Sequence, residues 1–72
     1  MLGARLRRLR EAAEISRAEA GYAIRSSESK ISRLELGRVS FKVRDVTDLL
    51  TMYGVTDPEQ RKAFVELVSR SN

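Results

Sequence analysis

The amino-acid sequence predicts an all-α protein that folds as a compact five-helix bundle. Apolar side chains recur at intervals of three and four residues in several segments, which is the spacing of one helix face. Residues that favour helix ends, such as Ser or Asp before a segment and Gly after it, separate these segments. The chain has 72 residues, no Cys and one Pro. We therefore expect one domain over residues 1–72, with a thin core and no disulfide.

The first helix is predicted over about residues 3–14. Its apolar face consists of Leu2, Leu6, Leu9 and Ala13. Its exposed side contains four arginines: Arg5, Arg7, Arg8 and Arg10. For the first three, contact with phosphate and a solvated charged surface are equally consistent with the pattern. Arg10 follows an apolar position directly, and we expect it to pair with Glu35 in a half-buried seam between the first and third helices.

The second helix is predicted over about residues 17–24. Ser16 is its N-cap, and Glu19 completes a capping box three residues later. Gly lowers helix propensity by about 1 kcal/mol relative to Ala, so Gly21 is expected where another helix crosses closely. Only two residues separate this helix from the next N-cap. Two helices joined by so short a connection must cross steeply, as in a helix-turn-helix.

The third helix is predicted over about residues 27–36. Ser27 is a suitable N-cap, and Gly37 suits the left-handed conformation that ends many helices. At about 100° per residue, Ile31 and Leu34 lie on the same side of this helix. That side is expected to face the core.

The opposite side of the third helix is polar and contains Ser29, Ser32 and Arg33. Short hydroxyl side chains allow a helix to come close to a surface rich in donors and acceptors. The planar guanidinium of Arg matches the edge of guanine or a phosphate. These residue types suit the major groove of DNA. For an isolated helix, the simpler alternative is a solvated polar face.

The last two helices are predicted over about residues 43–53 and 58–70, after a basic linker. The fourth has an apolar stripe: Val46, Leu49, Leu50 and Tyr53. Gly54 follows it, and Asp57-Pro58 is a strong start signal for the fifth helix. The fifth helix is expected to bury Phe64, Leu67 and Val68.

Positive charge is concentrated around the third helix. The net charge is +4 and the sequence pI is about 10.1, which favours an anionic partner. The basic residues of this region are Arg25, Lys30, Arg33, Arg38, Lys42 and Arg44. Between the first and last of them there are two acidic residues, Glu28 and Glu35.

The same composition argues against catalysis, metal binding and membrane insertion. The chain contains no His and no Cys, so the sequence predicts neither an enzyme nor a metal site, and no cofactor. No apolar run approaches the length of a membrane span. The residues before Arg5 do not form a signal peptide, and we expect a cytoplasmic protein.

Two segments resemble a known family. Residues 15–24, I-S-R-A-E-A-G-Y-A-I, and residues 27–37, S-E-S-K-I-S-R-L-E-L-G, are similar to the Cro/CI-type (XRE) helix-turn-helix of phage repressors and bacterial regulators. The similarity covers about residues 2–55. A longer segment, residues 33–46, reads R-L-E-L-G-R-V-x-F-K-x-R-D-V and resembles actinobacterial regulators in which this domain precedes a separate C-terminal region.

The resemblance implies specific contacts with DNA. The residues expected at base edges are Ser27, Glu28, Ser29, Ser32 and Arg33. The resemblance places Ser16, Arg17 and Lys30 at the DNA backbone, and the basic linker adds Arg38 and Lys42 to the residues expected there. The chain departs from the family at two positions, with Arg25 where the family usually has Gly and Arg17 where it has Gln. Arg25 raises a question about the turn, because non-Gly residues rarely adopt the left-handed conformation.

The sequence therefore predicts sequence-specific binding of double-stranded DNA by a bacterial transcription regulator, as a homodimer on DNA or in the full-length protein. Leu36, Val39 and Phe41 are the candidate apolar surface for a dimer. The alternative is a protein-interaction module, for example an antagonist of another regulator. Glu28 favours that alternative, because a carboxylate at the front of the helix repels phosphate unless it accepts from cytosine.

Overall fold

The computed structural model describes residues 2–71, and it confirms the all-α prediction. The helices are α1 (Leu2–Ala12), α2 (Arg17–Ala23), α3 (Glu28–Glu35), α4 (Val43–Met52) and α5 (Pro58–Ser71). They form a globule of 27 × 24 × 19 Å, and no β-strand occurs in the described range. None of these helices combines the length and the apolar character that crossing a membrane requires.

The core draws residues from all five helices and from both linkers of the second half. Its largest fully buried side chains are Phe64, Leu6, Ile31, Leu49, Leu50, Val46 and Val68. Phe41 is 7 % exposed and belongs to this core. The expectation that Phe41 contributes to a dimer surface was therefore wrong, because the linker folds back over the core. Leu36 and Val43 are the exposed apolar residues of that region.

The first four helices all end with the same pair of backbone hydrogen bonds. After α1, for example, the N–H of Ile15 donates to the carbonyl of Arg10 at 3.1 Å, and the N–H of Glu14 donates to that of Glu11 at 3.0 Å. This arrangement is the Schellman motif, which places one residue in the left-handed conformation. It ends α1 through α4 one or two residues before the predicted boundaries.

Two of these four left-handed positions contain residues other than Gly. Gly37 and Gly54 have φ of 73° and 80°, whereas Glu14 and Arg25 have φ of 58° and 56°. A side chain in this conformation costs about 1 to 2 kcal/mol per residue. The turn between α2 and α3 thus keeps the conformation that Gly would favour, and Arg25 adopts it under strain.

Arg61 fastens α5 to α4. Its guanidinium donates to the carbonyl of Val55 at 2.8 Å, to the carbonyl of Thr47 at 3.3 Å and to the hydroxyl of Thr51 at 3.0 Å. These acceptors lie in and just after α4, so one side chain of α5 holds the two helices together. The guanidinium carbon of Arg5 lies 5.0 Å from the ring centre of Phe64, a contact that joins α1 to α5.

Candidate nucleic-acid interface

The position of α3 is set first by its close crossing with α2. A Cβ atom added at Gly21 would lie 2.8 Å from the carbonyl carbon and oxygen of Ser27, which is too close for any side chain. The hydroxyl of Ser27 accepts from the N–H of Lys30 at 3.2 Å and caps α3, as the sequence predicts. The hydroxyl of Ser16 caps α2 in the same way, within a complete capping box with Glu19.

An ionic network then fixes the other end of α3. Glu35 accepts from Nε of Arg10 at 2.7 Å and from Nη2 of Arg10 at 3.3 Å. Both side chains are almost completely buried, which confirms the predicted pair and shows that Arg10 does not belong to the exposed side of α1. The hydrogen bonds from Arg10 to Glu35 raise the pKa of Arg10, against the opposing effect of burial. Arg10 also donates to the carbonyl of Ile15 at 2.9 Å.

The same carboxylate has a second partner. Nε of Arg17 lies 3.4 Å from Oε1 of Glu35, and the Arg17 side chain remains 38 % exposed. Glu35 therefore connects α1, α2 and α3 through two guanidinium groups. Sequence analysis missed the contact with Arg17, since nothing in the spacing of residues 17 and 35 indicates that they meet.

The outward side of α3 has no such network. Glu28, Ser29 and Arg33 are exposed, and none of them makes a hydrogen bond or ion pair through its side chain within residues 2–71. Ser32 is half-buried at the edge of this side. The core residues Ile31 and Leu34, 1 % and 2 % exposed, hold the opposite side in place. We call the residues Glu28, Ser29, Ser32 and Arg33 the outward face of α3.

The basic residues expected at the DNA backbone fall into two groups. Arg38 and Lys42 are exposed in the linker after α3 and make no ion pair within the described residues. Arg17 is paired with Glu35, and Lys30 is paired with Asp45 of α4 at 3.6 Å between Nζ and Oδ2. Both groups are on or next to the helix-turn-helix, but they differ in how freely they can bind a phosphate.

A cleft of about 320 Å³ lies between the turn after α2 and the start of α4. Its charged lining comprises Arg25, Lys42, Arg44, Asp45 and Asp48. Arg25 and Arg44 belong to the basic region that the sequence shows, but their meeting with Lys42 depends on how α4 packs. No side-chain hydrogen bond caps α4 at Lys42.

A family model described as a helix-turn-helix domain matches residues 1–64. The match covers most of the chain, so the chain belongs to this helix-turn-helix family, which is of the Cro/CI type. Helix-turn-helix domains are a class of DNA-binding domain. No curated protein and no solved structure shows significant similarity to the chain.

Proposed function

We propose that this member of the helix-turn-helix family is the DNA-binding domain of a bacterial transcription regulator. It binds double-stranded DNA sequence-specifically, with α3 in the major groove. The observation that supports this most directly is the outward face of α3. Its polar groups have no partner within the described residues, whereas the opposite side of the same helix is locked by the core and by Glu35. A rigid helix that presents unsatisfied donors and acceptors is suited to reading base edges.

Within this proposal, the outward face reads the bases. Arg33 is the natural partner of guanine, since its planar fork can donate to O6 and N7 together. Ser29 lies beside it on the helix, and Glu28 at the first turn is placed to accept from the amino group of cytosine. Ser32 lies half-buried at the edge of this face, and Ser27 precedes the face, with its hydroxyl accepting the capping hydrogen bond of α3.

The phosphates are held by residues around α3. Arg38 and Lys42 extend from the linker, and Ser16 and Arg17 lie at the start of α2. Arg17 bonds Glu35 through Nε, which leaves its outer N–H groups available to a phosphate and fixes their direction. Such contacts position the protein on the duplex and carry no sequence information themselves.

We further propose that the functional DNA complex contains two copies of the domain. One helix reads only a few base pairs, so a single domain offers limited discrimination. Leu36 and Val43, 55 % and 44 % exposed, are apolar groups available near the basic linker. A selected binding site with two-fold symmetry or a repeat would support this proposal, and a site with neither would count against it.

A protein-interaction module is the second candidate function, and the exposed Glu28 is the observation that favours it. A carboxylate at the front of α3 weakens attraction to phosphate unless it is paired in the complex.

A salt titration separates the two functions. Random-sequence duplexes are mixed with the protein, and the affinity is measured by fluorescence anisotropy from about 50 to 200 mM salt. DNA binding through several phosphates gives a steep linear fall of log affinity, with a slope of about −0.9 per phosphate contact. Selection of bound sequences from a random pool then tests whether a preferred site exists. Absence of any salt-dependent binding would overturn the proposal.

A further inference from the structure

One of the cations beside the outward face is held by a carboxylate of a different helix. Lys30 of α3 lies 3.6 Å from Asp45 in the first turn of α4, and the two side chains are 30 % and 15 % exposed. Such a pair is only partly open to water, so salt screens it less than an exposed pair. It joins the helix proposed to read DNA to the helix that follows the basic linker.

Asp45 lies where it also opposes other positive charges. It lines the cleft that contains Arg25, Lys42 and Arg44. Asp48, one turn further along α4, lines the same cleft but is exposed and makes no ion pair within residues 2–71. Two carboxylates of one helix therefore border the same basic surface, and Asp45 is the one that pairs with a lysine of α3.

We infer that Asp45 limits sequence-independent binding of DNA by holding Lys30 away from the phosphates. This inference rests on the proposed function and concerns how strongly the same surface binds any duplex. Phosphate contacts supply essentially all of sequence-independent affinity. Lys30 carries its charge on a single nitrogen, so the atom that pairs with Asp45 is also the atom that would bind a phosphate. Weak affinity for DNA of any sequence benefits a regulator, because the many non-specific sites of a genome compete with its preferred site.

Arg17 provides the internal contrast. It too is paired, with Glu35, but through Nε, so its outer N–H groups remain available. The contact with Glu35 directs Arg17, whereas the contact with Asp45 places a carboxylate 3.6 Å from the single charged nitrogen of Lys30. The difference assigns a phosphate contact to Arg17 and withholds one from Lys30.

The test compares the full chain with the variants Asp45→Asn and Asp48→Asn on random-sequence duplexes between 50 and 200 mM salt. Both variants remove one negative charge from α4, and circular dichroism verifies that each is folded. Asp45→Asn is expected to bind more tightly and to steepen the salt slope by about one phosphate contact, which amounts to about a threefold larger loss of affinity over that range. Asp48→Asn is expected to leave the slope unchanged.

The double variant Lys30→Met/Asp45→Asn has the same net charge as the parent chain and isolates the contribution of Lys30 to DNA binding. Its salt slope is expected to equal that of the parent, since Lys30 contributes no phosphate contact there. A double variant with a slope shallower by about one contact would show that Lys30 already binds phosphate and would overturn the inference. An Asp45→Asn slope equal to that of Asp48→Asn would also overturn it. If neither the parent nor any variant binds DNA, the proposed function fails, and the inference fails with it.

Discussion

The two sides of α3 satisfy their polar groups in opposite ways. On the inward side, Glu35 bonds Arg10 and Arg17 among buried apolar residues. On the outward side, Ser29 and Arg33 are exposed and have no side-chain partner within residues 2–71. The eight residues of α3 therefore form one side that is fixed to the rest of the fold and one side that is free to bind a partner. In the proposed function, the fixed inward side supports specificity on the outward side, because a side chain can discriminate between bases only from a fixed position.

The inward side should dominate stability, and Glu35→Ala gives the largest effect we expect. Removal of one partner leaves buried Arg10 without its counter-charge, which typically costs about 3 to 5 kcal/mol. The free energy of unfolding is measured by urea denaturation.

Glu11→Ala is the matched control for that experiment. Glu11 pairs with Arg7 at 3.6 Å on the surface of α1, and both side chains are about half exposed. Loss of this pair should cost less than about 1 kcal/mol. Equal costs for the two variants would mean that the Glu35 network does not anchor α3.

Tyr53 lies near Glu35, on the inward side of α3, and should make the free energy of unfolding depend on pH in the alkaline range. Burial, together with the nearby charge of Glu35, raises the pKa of Tyr53 from 10.0 to about 12. Its hydroxyl is buried and makes no hydrogen bond within the described residues. Below pH 10 the residue is neutral in both folded and unfolded chains and contributes no pH dependence.

Between about pH 10 and 12 the unfolded chain loses the Tyr53 proton first, so the folded state is destabilised as pH rises. The total loss is about 2 to 3 kcal/mol. Tyr53→Phe should remove this part of the pH dependence in urea denaturation series, because Phe does not titrate. An unchanged alkaline profile in Tyr53→Phe would refute the assignment.

The turn that leads into α3 gives a smaller and opposite effect. Arg25 adopts a left-handed conformation with φ of 56°, so Arg25→Gly should raise the free energy of unfolding by about 0.5 to 1 kcal/mol. Gly54→Ala is the complementary change, since an added Cβ would meet nothing within 4 Å and φ is 80°. Conformational strain alone should then lower stability by about 1 kcal/mol. Thermal unfolding that shifts in the same direction for both variants would contradict this explanation.

Local patterns were sufficient to predict much of the fold. The caps at Ser16 and Ser27 follow from residue types next to a periodic segment, and the close approach at Gly21 follows from a poor helix former within a helix. The pair Arg10–Glu35 was predictable because each residue adjoins an apolar position that had to be buried.

The other ion pairs between helices, which depend on the angles at which the helices pack, were not predictable. The ion pairs Arg17–Glu35 and Lys30–Asp45 join residues whose spacing has no periodic relation. Phe41 lies in a linker without periodicity, so its burial follows only from the path of the chain over the core. The residues of the outward face were predictable. The packing of α4 was needed to show which nearby basic side chains are paired with a carboxylate and which are not.

The central proposal is that the outward face of α3 contacts base edges, and Arg33→Ala tests it most directly. Affinity is measured by fluorescence anisotropy for the preferred site obtained by selection and for random-sequence DNA, with Arg70→Ala at the exposed end of α5 as a control of equal charge. Loss of a bidentate contact to guanine should weaken binding to the preferred site by about 1 to 3 kcal/mol more than binding to random DNA. Arg70→Ala should leave the ratio of these two affinities unchanged. An equal loss on every sequence for Arg33→Ala would contradict the reading of bases by α3.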